Sequence, residues 1–207
     1  MWKQLLFIGL GFLSGSVLYS RYLPKLLKGV DIVALSEDPN PGTANVMRYA
    51  GVQIGILCLL CDMAKGFVPV FMAARHTPPQ SMMFALILAT PVAGHAFSVF
   101  HKGKGGKAIA VTFGCLIGLA PEIWPLSVLC ILYLLFSLVI VIRPNEKRTV
   151  LTFLCFAAAV IVRTVMGRMG MALGIGLLCQ AGIVIYKNYP DAQTSLAQLK
   201  TRVLKKM

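Results

Sequence analysis

Apolar runs alternate with short polar segments along the whole chain. The runs cover residues 5–19, 52–74, 81–100, 108–124, 126–142, 150–162 and 171–186. A helix needs about 20 apolar residues to cross the hydrocarbon core of a bilayer, and several of the runs are near that length. The pattern predicts an all-α, polytopic transmembrane helix bundle of about seven spans. Because some runs are short, five or six spans with re-entrant pieces also fit.

Composition supports a membrane protein. Of the 207 residues, 57% are hydrophobic and 13% are charged, a balance that excludes a soluble domain of this size. No polar stretch exceeds about thirty residues, so we expect one integral membrane domain over residues 1–207. The six cysteines all lie in apolar runs, and we interpret them as packing residues. Cys58 and Cys61 have the spacing of a redox or metal pair, but they lack partner ligands.

Basic residues predict the orientation in the membrane. Lysine and arginine total 20 against 7 acidic residues, which gives a net charge of +13. Most of these cations lie in the loops 21–50, 101–107 and 143–148 and in the tail 187–207. Positive loops stay in the cytoplasm, so we expect these segments inside and the N-terminus outside. The charges lie between apolar runs, which favours contact with phosphate or anionic lipid over nucleic acid.

Residues 94–108 combine glycine, lysine and histidine between two apolar runs. Glycine lets backbone N–H groups form an anion-binding nest, lysine suits phosphate, and a helix beginning at Ala108 would direct its N-terminus to the same place. The segment is therefore a candidate phosphate cradle at the membrane surface. The alternative is a basic loop that only fixes topology. An ATP-binding P-loop is excluded, because His101 replaces its first glycine and Ala108 its Ser or Thr.

A second polar segment, residues 31–48, contains two prolines, a glycine and two asparagines, which exclude regular structure there. It is either an ordinary linker or a binding loop. The density of hydrogen-bonding side chains favours a binding loop.

Two residue pairs inside the apolar runs predict specific helix contacts. Gly11 and Gly15 have the GxxxG spacing that allows helices to approach closely. Asp62 and Lys65 are three residues apart and share a helix face, so they can form an ion pair. Ionised groups at this depth are functional by default. The alternatives are a structural ion pair or a lysine that extends to the membrane surface.

Three motifs together resemble one family. Gly94 and His95, followed by residues 104–107, are similar to a Gly-His…Gly-Gly-Lys-Gly loop. Residues 40–48 are similar to Asn-x-Gly-Ala-Thr-Asn-x-x-Arg, and residues 62–66 to Asp-x-x-Lys-Gly. In order and spacing, the chain resembles the acyl-phosphate-dependent glycerol-3-phosphate acyltransferases, a bacterial family of small polytopic enzymes.

The resemblance implies a reaction and its setting. A member would transfer an acyl group from acyl phosphate to the 1-hydroxyl of glycerol 3-phosphate, giving lysophosphatidic acid in the first step of phospholipid synthesis. It would use neither acyl-CoA nor a metal nor another cofactor. It would lie in the bacterial inner membrane with seven spans and its site facing the cytoplasm.

The resemblance also implies roles for individual residues. Gly105, Gly106 and Lys107 would hold a phosphate, while Lys104, Arg48 and Lys65 would supply charge. Asn40, Thr43 and Asn45 would position glycerol 3-phosphate and polarise the acyl carbonyl. His95 would hold the loop by hydrogen bonding, and substrate phosphate oxygens would replace a protein base. Further candidate binding residues are Asp38, Ser137 and Asn188.

Departures from the family pattern predict a divergent member. Asp38 replaces a serine, and Val33 replaces the arginine of an Asp-Ile-Arg motif. Asn188 and Asp191 stand where the family has His-x-x-Asn, and only Ser137 and the following leucine remain of a Ser-Leu-x-Ser motif. An acid near a phosphate site repels the ligand unless it binds a hydroxyl, so the acceptor is open.

Three other functional classes are alternatives to an acyl-phosphate-dependent acyltransferase. A transporter or flippase of a phosphorylated solute or lipid would suit charges within a span, but the two halves show no repeat. A non-catalytic scaffold is a third interpretation. The His-x4-Asp acyltransferases are disfavoured, because no histidine has an aspartate five residues later.

Overall fold

The computed structural model describes residues 2–36 and 40–189. In these ranges the secondary structure consists of helices joined by turns and loops. The helices are α1 (Trp2–Ser16), α2 (Tyr19–Lys28), α3 (Ile32–Leu35), α4 (Thr43–Tyr49), α5 (Val52–Ala74), α6 (Met82–Ala96), α7 (Ile109–Ile117), α8 (Trp124–Leu134), α9 (Asn145–Val165) and α10 (Met171–Asn188). A 3-10 turn, Val99–His101, follows α6, and a π-helical turn, Leu135–Val139, follows α8. The predicted all-α class is confirmed.

Seven full-length spans are not found among the described residues. Four helical segments are long and apolar enough to cross a membrane: Val52–Ala74, Met82–His101, Asn145–Val165 and Met171–Asn188. α1 and α2 form a fifth if the bent pair counts as one span. The predicted runs 108–124 and 126–142 give only the shorter apolar helices Ile109–Gly118 and Trp124–Val139.

The first predicted run, 5–19, is not one straight helix. α1 ends at Ser16, and α2 begins at Tyr19 after a bend of 44°. Leu18 between them has φ −98° and ψ 86°, outside helical geometry. α2 then ends at Gly29, whose φ of 67° suits the left-handed conformation that closes many helices.

Small residues bring helices into contact, as the Gly11 and Gly15 spacing predicted. A Cβ added at Gly15 would overlap the carbonyl oxygen of Pro91 on α6. In the other direction, a Cβ at Gly94 on α6 would overlap the carbonyl of Phe12. Backbone therefore packs on backbone where α1 crosses α6.

Two cores fix the framework around the site. The larger core includes the fully buried rings of Phe84 on α6 and of Phe153 and Phe156 on α9. The smaller core joins Ile32 and Val46 to α5 and so holds the short helices α3 and α4 against that long helix. All six cysteines are free thiols; Cys58 and Cys115 are buried, as the packing interpretation expects, whereas Cys179 is exposed.

The predicted loops gather at one end of the bundle, here called the cavity end. One cavity there is lined by residues 40–45, 48, 49, 107–110, 145, 146, 148 and 149 and by Asn188. At the opposite end, Phe7 of α1 stacks on His76 with ring centroids 6.1 Å apart. The guanidinium of Arg163 lies 4.5 Å from the ring centroid of Trp124 at that same end. The two membrane sides expected from the basic residues stay a prediction.

Candidate functional site

The cavity end contains a half-open cavity of about 1030 Å³. α4 and the loop before it form one wall, and α5 supplies Leu59, Asp62 and Met63. The start of α7, the start of α9 and the end of α10 complete the lining, with Tyr133 contributed by α8. The volume is at the upper end of the range for small-molecule sites.

The prediction that residues 31–48 lack regular structure is corrected by the short helices α3 and α4, which begin within this segment. The Asn45 side-chain amide donates a hydrogen bond to the Asn40 carbonyl at 3.0 Å, and the Gly42 N–H donates to the same oxygen at 2.8 Å. Asn40, Thr43, Asn45 and Arg48 all line the cavity. The four residues that the motif resemblance named therefore lie together at one wall of the cavity. Asp38 lies outside the described residues.

The glycine-rich loop has a different role from the predicted nest. The Gly106 N–H donates to the His95 carbonyl at 3.0 Å, and a Cβ at Gly106 would overlap His95 Nε2. A Cβ at Gly105 would overlap the backbone of His95 and Ala96. These glycines allow the loop to pack on the end of α6, and they lie outside the cavity lining.

The two lysines of this loop lie in different places. Lys104 is exposed and outside the lining, so its predicted catalytic contact finds no support in its position. Lys107 borders the cavity together with Ala108, Ile109 and Ala110. α7 starts there, after Ala108 with φ 61°, and no side chain caps its N-terminus. The N-terminus of α7 therefore lies at the cavity, and a phosphate cradle there stays a prediction.

Lys107 is held from two sides. Its Nζ lies 2.6 Å from Glu146 Oε1, in a partly exposed ion pair. Its carbonyl accepts a hydrogen bond from the buried Asn188 side chain at 3.2 Å, and the same Nδ2 donates to Val184 O at 2.8 Å. Asn188 thus links the end of α10 to the start of α7. Asp191, the other residue of that predicted motif, lies outside the described residues.

Asp62 and Lys65 form the predicted ion pair, with Lys65 Nζ 2.8 Å from Asp62 Oδ1. Both residues are buried. Lys65 Nζ also donates to the Val17 carbonyl at 2.5 Å, and Ser20 Oγ donates to Asp62 Oδ2 at 3.1 Å. The pair therefore satisfies backbone and side-chain groups at the break between α1 and α2.

This placement corrects the substrate contact predicted for Lys65. Its ammonium is directed to the broken helix, and Lys65 does not line the cavity. Asp62 does border the cavity. Of the alternatives left open by the sequence, the structural ion pair agrees with the geometry.

His95 is buried where α6 meets the glycine-rich loop. Its Nδ1 lies 3.9 Å from Asp62 Oδ1 and has no hydrogen-bond partner among the described residues. The ring also forms the surface against which Gly106 packs, and one part of the residue reaches the cavity. The loop contacts His95 through its backbone carbonyl and by packing on its ring, so a side-chain hydrogen bond from His95 to the loop stays a prediction.

Sequence reasoning missed the wall formed by α8 and α9. Glu146, Arg148 and Thr149 line the cavity, although residues 143–148 were interpreted only as a charged turn. The Tyr133 hydroxyl donates to Thr149 Oγ1 at 3.4 Å. Pro144 before a polar segment is a helix-start signal, and it could have placed these side chains on the first turn of a helix.

Ser137 is a further correction. It lies half-buried in the π-helical turn after α8 and does not line the cavity. The apolar neighbours Phe136 and Leu138 surround it in the chain, and α9 instead supplies the polar groups of this wall.

The cavity combines charges suited to anions. Its lining has the cations Arg48, Lys107 and Arg148 and the acids Asp62 and Glu146. The uncapped start of α7 adds a positive dipole end. Among the described residues, no group of three or more His, Cys, Asp or Glu side chains could hold a metal ion. The arrangement can therefore bind phosphate groups beside an apolar wall that includes Leu59 and Phe113.

Comparisons with known proteins agree with the motifs. The family model for glycerol-3-phosphate acyltransferase matches residues 5–198. A glycerol-3-phosphate acyltransferase of Thermotoga petrophila is 39% identical over 123 residues, which cover 59% of this chain and 60% of that protein. One of Solidesulfovibrio magneticus is 36% identical over 115 residues, covering 56% and 57%. The matched segment thus spans about 60% of the length of these curated relatives.

Solved structures share the fold. The crystal structure of PlsY (YgiH), an integral membrane glycerol 3-phosphate acyltransferase, in its glycerol 3-phosphate form, superposes with a TM-score of 0.77. The superposition covers 95% of this chain and 93% of that one, at 23% sequence identity. A lysophosphatidic acid form of the same enzyme gives a TM-score of 0.74. From the family match over residues 5–198, this chain belongs to the glycerol-3-phosphate acyltransferase family.

Proposed function

We propose that this chain transfers an acyl group from acyl phosphate to the 1-hydroxyl of glycerol 3-phosphate, forming lysophosphatidic acid and inorganic phosphate. One observation carries the proposal: three separate polar segments of the chain meet around a single cavity. Arg48, Lys107 and the start of α7 contribute positive charge to that cavity. Such a site favours two anionic substrates held side by side.

The reaction balances without a protein base. The 1-hydroxyl oxygen of glycerol 3-phosphate attacks the acyl carbonyl carbon, and the carbonyl electron pair moves to its oxygen. Collapse of this tetrahedral intermediate breaks the bond between carbon and the phosphate oxygen, so inorganic phosphate leaves. The hydroxyl proton goes to a phosphate oxygen. The described cavity offers no catalytic triad, which is consistent with this substrate-assisted route.

The chain's residues then have binding and electrostatic roles. N–H groups at the start of α7 and the Asn45 amide are suited to stabilise the developing oxyanion. Arg48 and Lys107 are suited to the phosphate groups. Thr43 and Asn40 provide hydrogen bonds for the acceptor from the opposite wall. The half-buried Leu59 and Phe113 give the acyl group an apolar contact.

The proposal includes an orientation. The cavity end would face the cytoplasm of a bacterial inner membrane, with the N-terminus outside. Labelling by a membrane-impermeant maleimide tests it, with wild type as the blank for native thiols. Lys104→Cys should react only in inverted vesicles, whereas Arg75→Cys should react in intact cells. The reverse pattern would contradict the orientation.

The function is tested on the purified full chain. Acyl phosphate and labelled glycerol 3-phosphate should give labelled lysophosphatidic acid, with equimolar release of inorganic phosphate. A parallel series of other phosphate monoesters that carry a hydroxyl tests the acceptor. In sealed vesicles, uptake of label without product would indicate a transporter instead. Product from another monoester only would replace glycerol 3-phosphate as the acceptor.

A further inference from the structure

The first turn of α9 places an arginine at the cavity that none of the three family-like motifs includes. Arg148 lies in the cavity lining, one residue before the buried Thr149. Arg148 Nε is shielded from solvent and has no hydrogen-bond partner among the described residues. A buried charged donor without an acceptor is costly. An acceptor supplied by a ligand would remove that cost.

The neighbours of Arg148 are suited to the same ligand. The Tyr133 hydroxyl and Thr149 Oγ1 are joined by a long hydrogen bond of 3.4 Å, and both residues line the cavity. Hydroxyl groups rotate and can donate to an oxyanion. A guanidinium presents several N–H donors in a planar fork that matches phosphate oxygens. Three donors from α8 and α9 are therefore available on this wall.

The charges of the cavity lining favour a phosphate-binding role for Arg148. Lys107 lies against Glu146 at 2.6 Å, and Asp62 lies against Lys65 at 2.8 Å. These two contacts pair one cation of the lining, Lys107, and both of its acids, Glu146 and Asp62. Arg48 on α4 and Arg148 on α9 are the other cations of the lining. Two phosphate groups in one cavity repel each other, so two guanidinium groups would stabilise both.

We infer that Arg148, with Tyr133 and Thr149, forms a phosphate-binding position for a phosphate monoester or for the phosphate of acyl phosphate. The inference deepens the proposed function and rests on it for the identity of the ligand. Phosphate oxygens accept from the guanidinium and from the two hydroxyl groups. Arg148 acts as a binding residue and takes no part in proton transfer.

The test measures phosphate binding and catalysis separately, on the full chain in detergent. Binding of inorganic phosphate and of glycerol 3-phosphate is followed by isothermal titration calorimetry for wild type, Arg148→Gln and Arg148→Lys. Arg143→Gln is the matched control, since Arg143 is exposed and outside the lining. Thermal unfolding in the same detergent reports folding. Steady-state assays then give KM for each substrate and kcat.

The inference predicts that Arg148→Gln weakens phosphate binding about 10- to 100-fold, as expected for a lost charged hydrogen-bonding group. Arg148→Lys should show an intermediate loss, because lysine keeps the charge but lacks the fork. Arg143→Gln should bind within about twofold of wild type. A rise in KM for one substrate alone identifies which phosphate occupies the position.

Several results would overturn the inference that Arg148 binds phosphate. Wild-type affinity in both Arg148 variants, or equal losses in Arg143→Gln, would show that this position binds no phosphate. If Arg148→Gln does not fold, Arg148→Lys decides by the same criterion. If wild type binds phosphate through Arg148 but forms no lysophosphatidic acid, the proposed function is refuted. The inference that Arg148 binds phosphate then still holds.

Discussion

The Asn188 side chain donates a hydrogen bond to the carbonyl oxygen of Lys107 at 3.2 Å, across 81 positions of sequence. Asn188 is the last residue of α10 and is 2% exposed. Lys107 lies two residues before the start of α7 and lines the cavity. This contact fixes where the lysine enters the cavity. It also gives Asn188 a role at a position where the family resemblance expected a histidine.

Asn188→Ala removes this contact and the bond to Val184. We expect kcat/KM for glycerol 3-phosphate to fall about tenfold, because the backbone of Lys107 loses the hydrogen bond from Asn188. The midpoint temperature of thermal unfolding should stay close to that of wild type. Steady-state kinetics with acyl phosphate provide the measurement. Unchanged kcat/KM would show that the backbone of Lys107 is positioned without Asn188.

Glu146→Gln removes a negative charge that lies 2.6 Å from the Lys107 ammonium. We expect inorganic phosphate to bind about 3- to 10-fold more tightly, since the ligand no longer faces a carboxylate at this wall. Calorimetric titration with inorganic phosphate measures the change, and its size should shrink at high salt. Weaker binding would instead show that Glu146 is needed to hold Lys107 in place.

Lys65→Met leaves the buried Asp62 carboxylate without its cation. The expected loss of stability is about 3–5 kcal/mol, the usual cost of breaking a buried ion pair from one side. Asp62→Asn combined with Lys65→Met should recover part of that loss. Thermal unfolding of the three proteins in detergent makes the comparison. Normal stability of Lys65→Met with loss of substrate binding would restore the substrate role that the motif suggested.

The hydrophobic pattern predicted the helical class, and the family-like motif in residues 40–48 named four residues that lie at one cavity wall. Asn40, Thr43, Asn45 and Arg48 are adjacent in sequence, so a motif in one loop identified them together. The break at Leu18 was not predictable, because no proline or charge interrupts the run there. Its stabilising partner, Lys65, lies on another helix, and periodicity carries no information about such long-range contacts.

The glycine-rich loop shows a second limit of prediction from sequence. Its composition predicts phosphate binding equally well for Lys104 and Lys107, and only the packing of Gly106 on His95 separates them. That packing leaves Lys107 at the cavity and Lys104 exposed. Arg148 was missed for a similar reason. Charged residues between apolar runs usually form solvated turns, whereas here the first turn of α9 closes the cavity.

Gly106→Ala tests this packing. Its Cβ would overlap the His95 ring, so we expect a destabilisation of about 1–3 kcal/mol from forced displacement of the loop. Gly182→Ala on α10 is the matched control, because nothing lies within 4 Å of its added Cβ. The control should unfold at or above the wild-type temperature, since alanine favours a helix. Equal midpoints for both variants would contradict the described contact.

The central claim is that phosphate-bearing substrates react at the cavity bordered by Arg48 and Lys107. Formation of labelled lysophosphatidic acid by purified, folded protein tests it most directly. We predict that Arg48→Ala and Lys107→Ala abolish the product, while Lys104→Ala, outside the cavity, keeps at least about half of wild-type activity. Full activity of Arg48→Ala and Lys107→Ala, or loss of activity in Lys104→Ala alone, would contradict the claim.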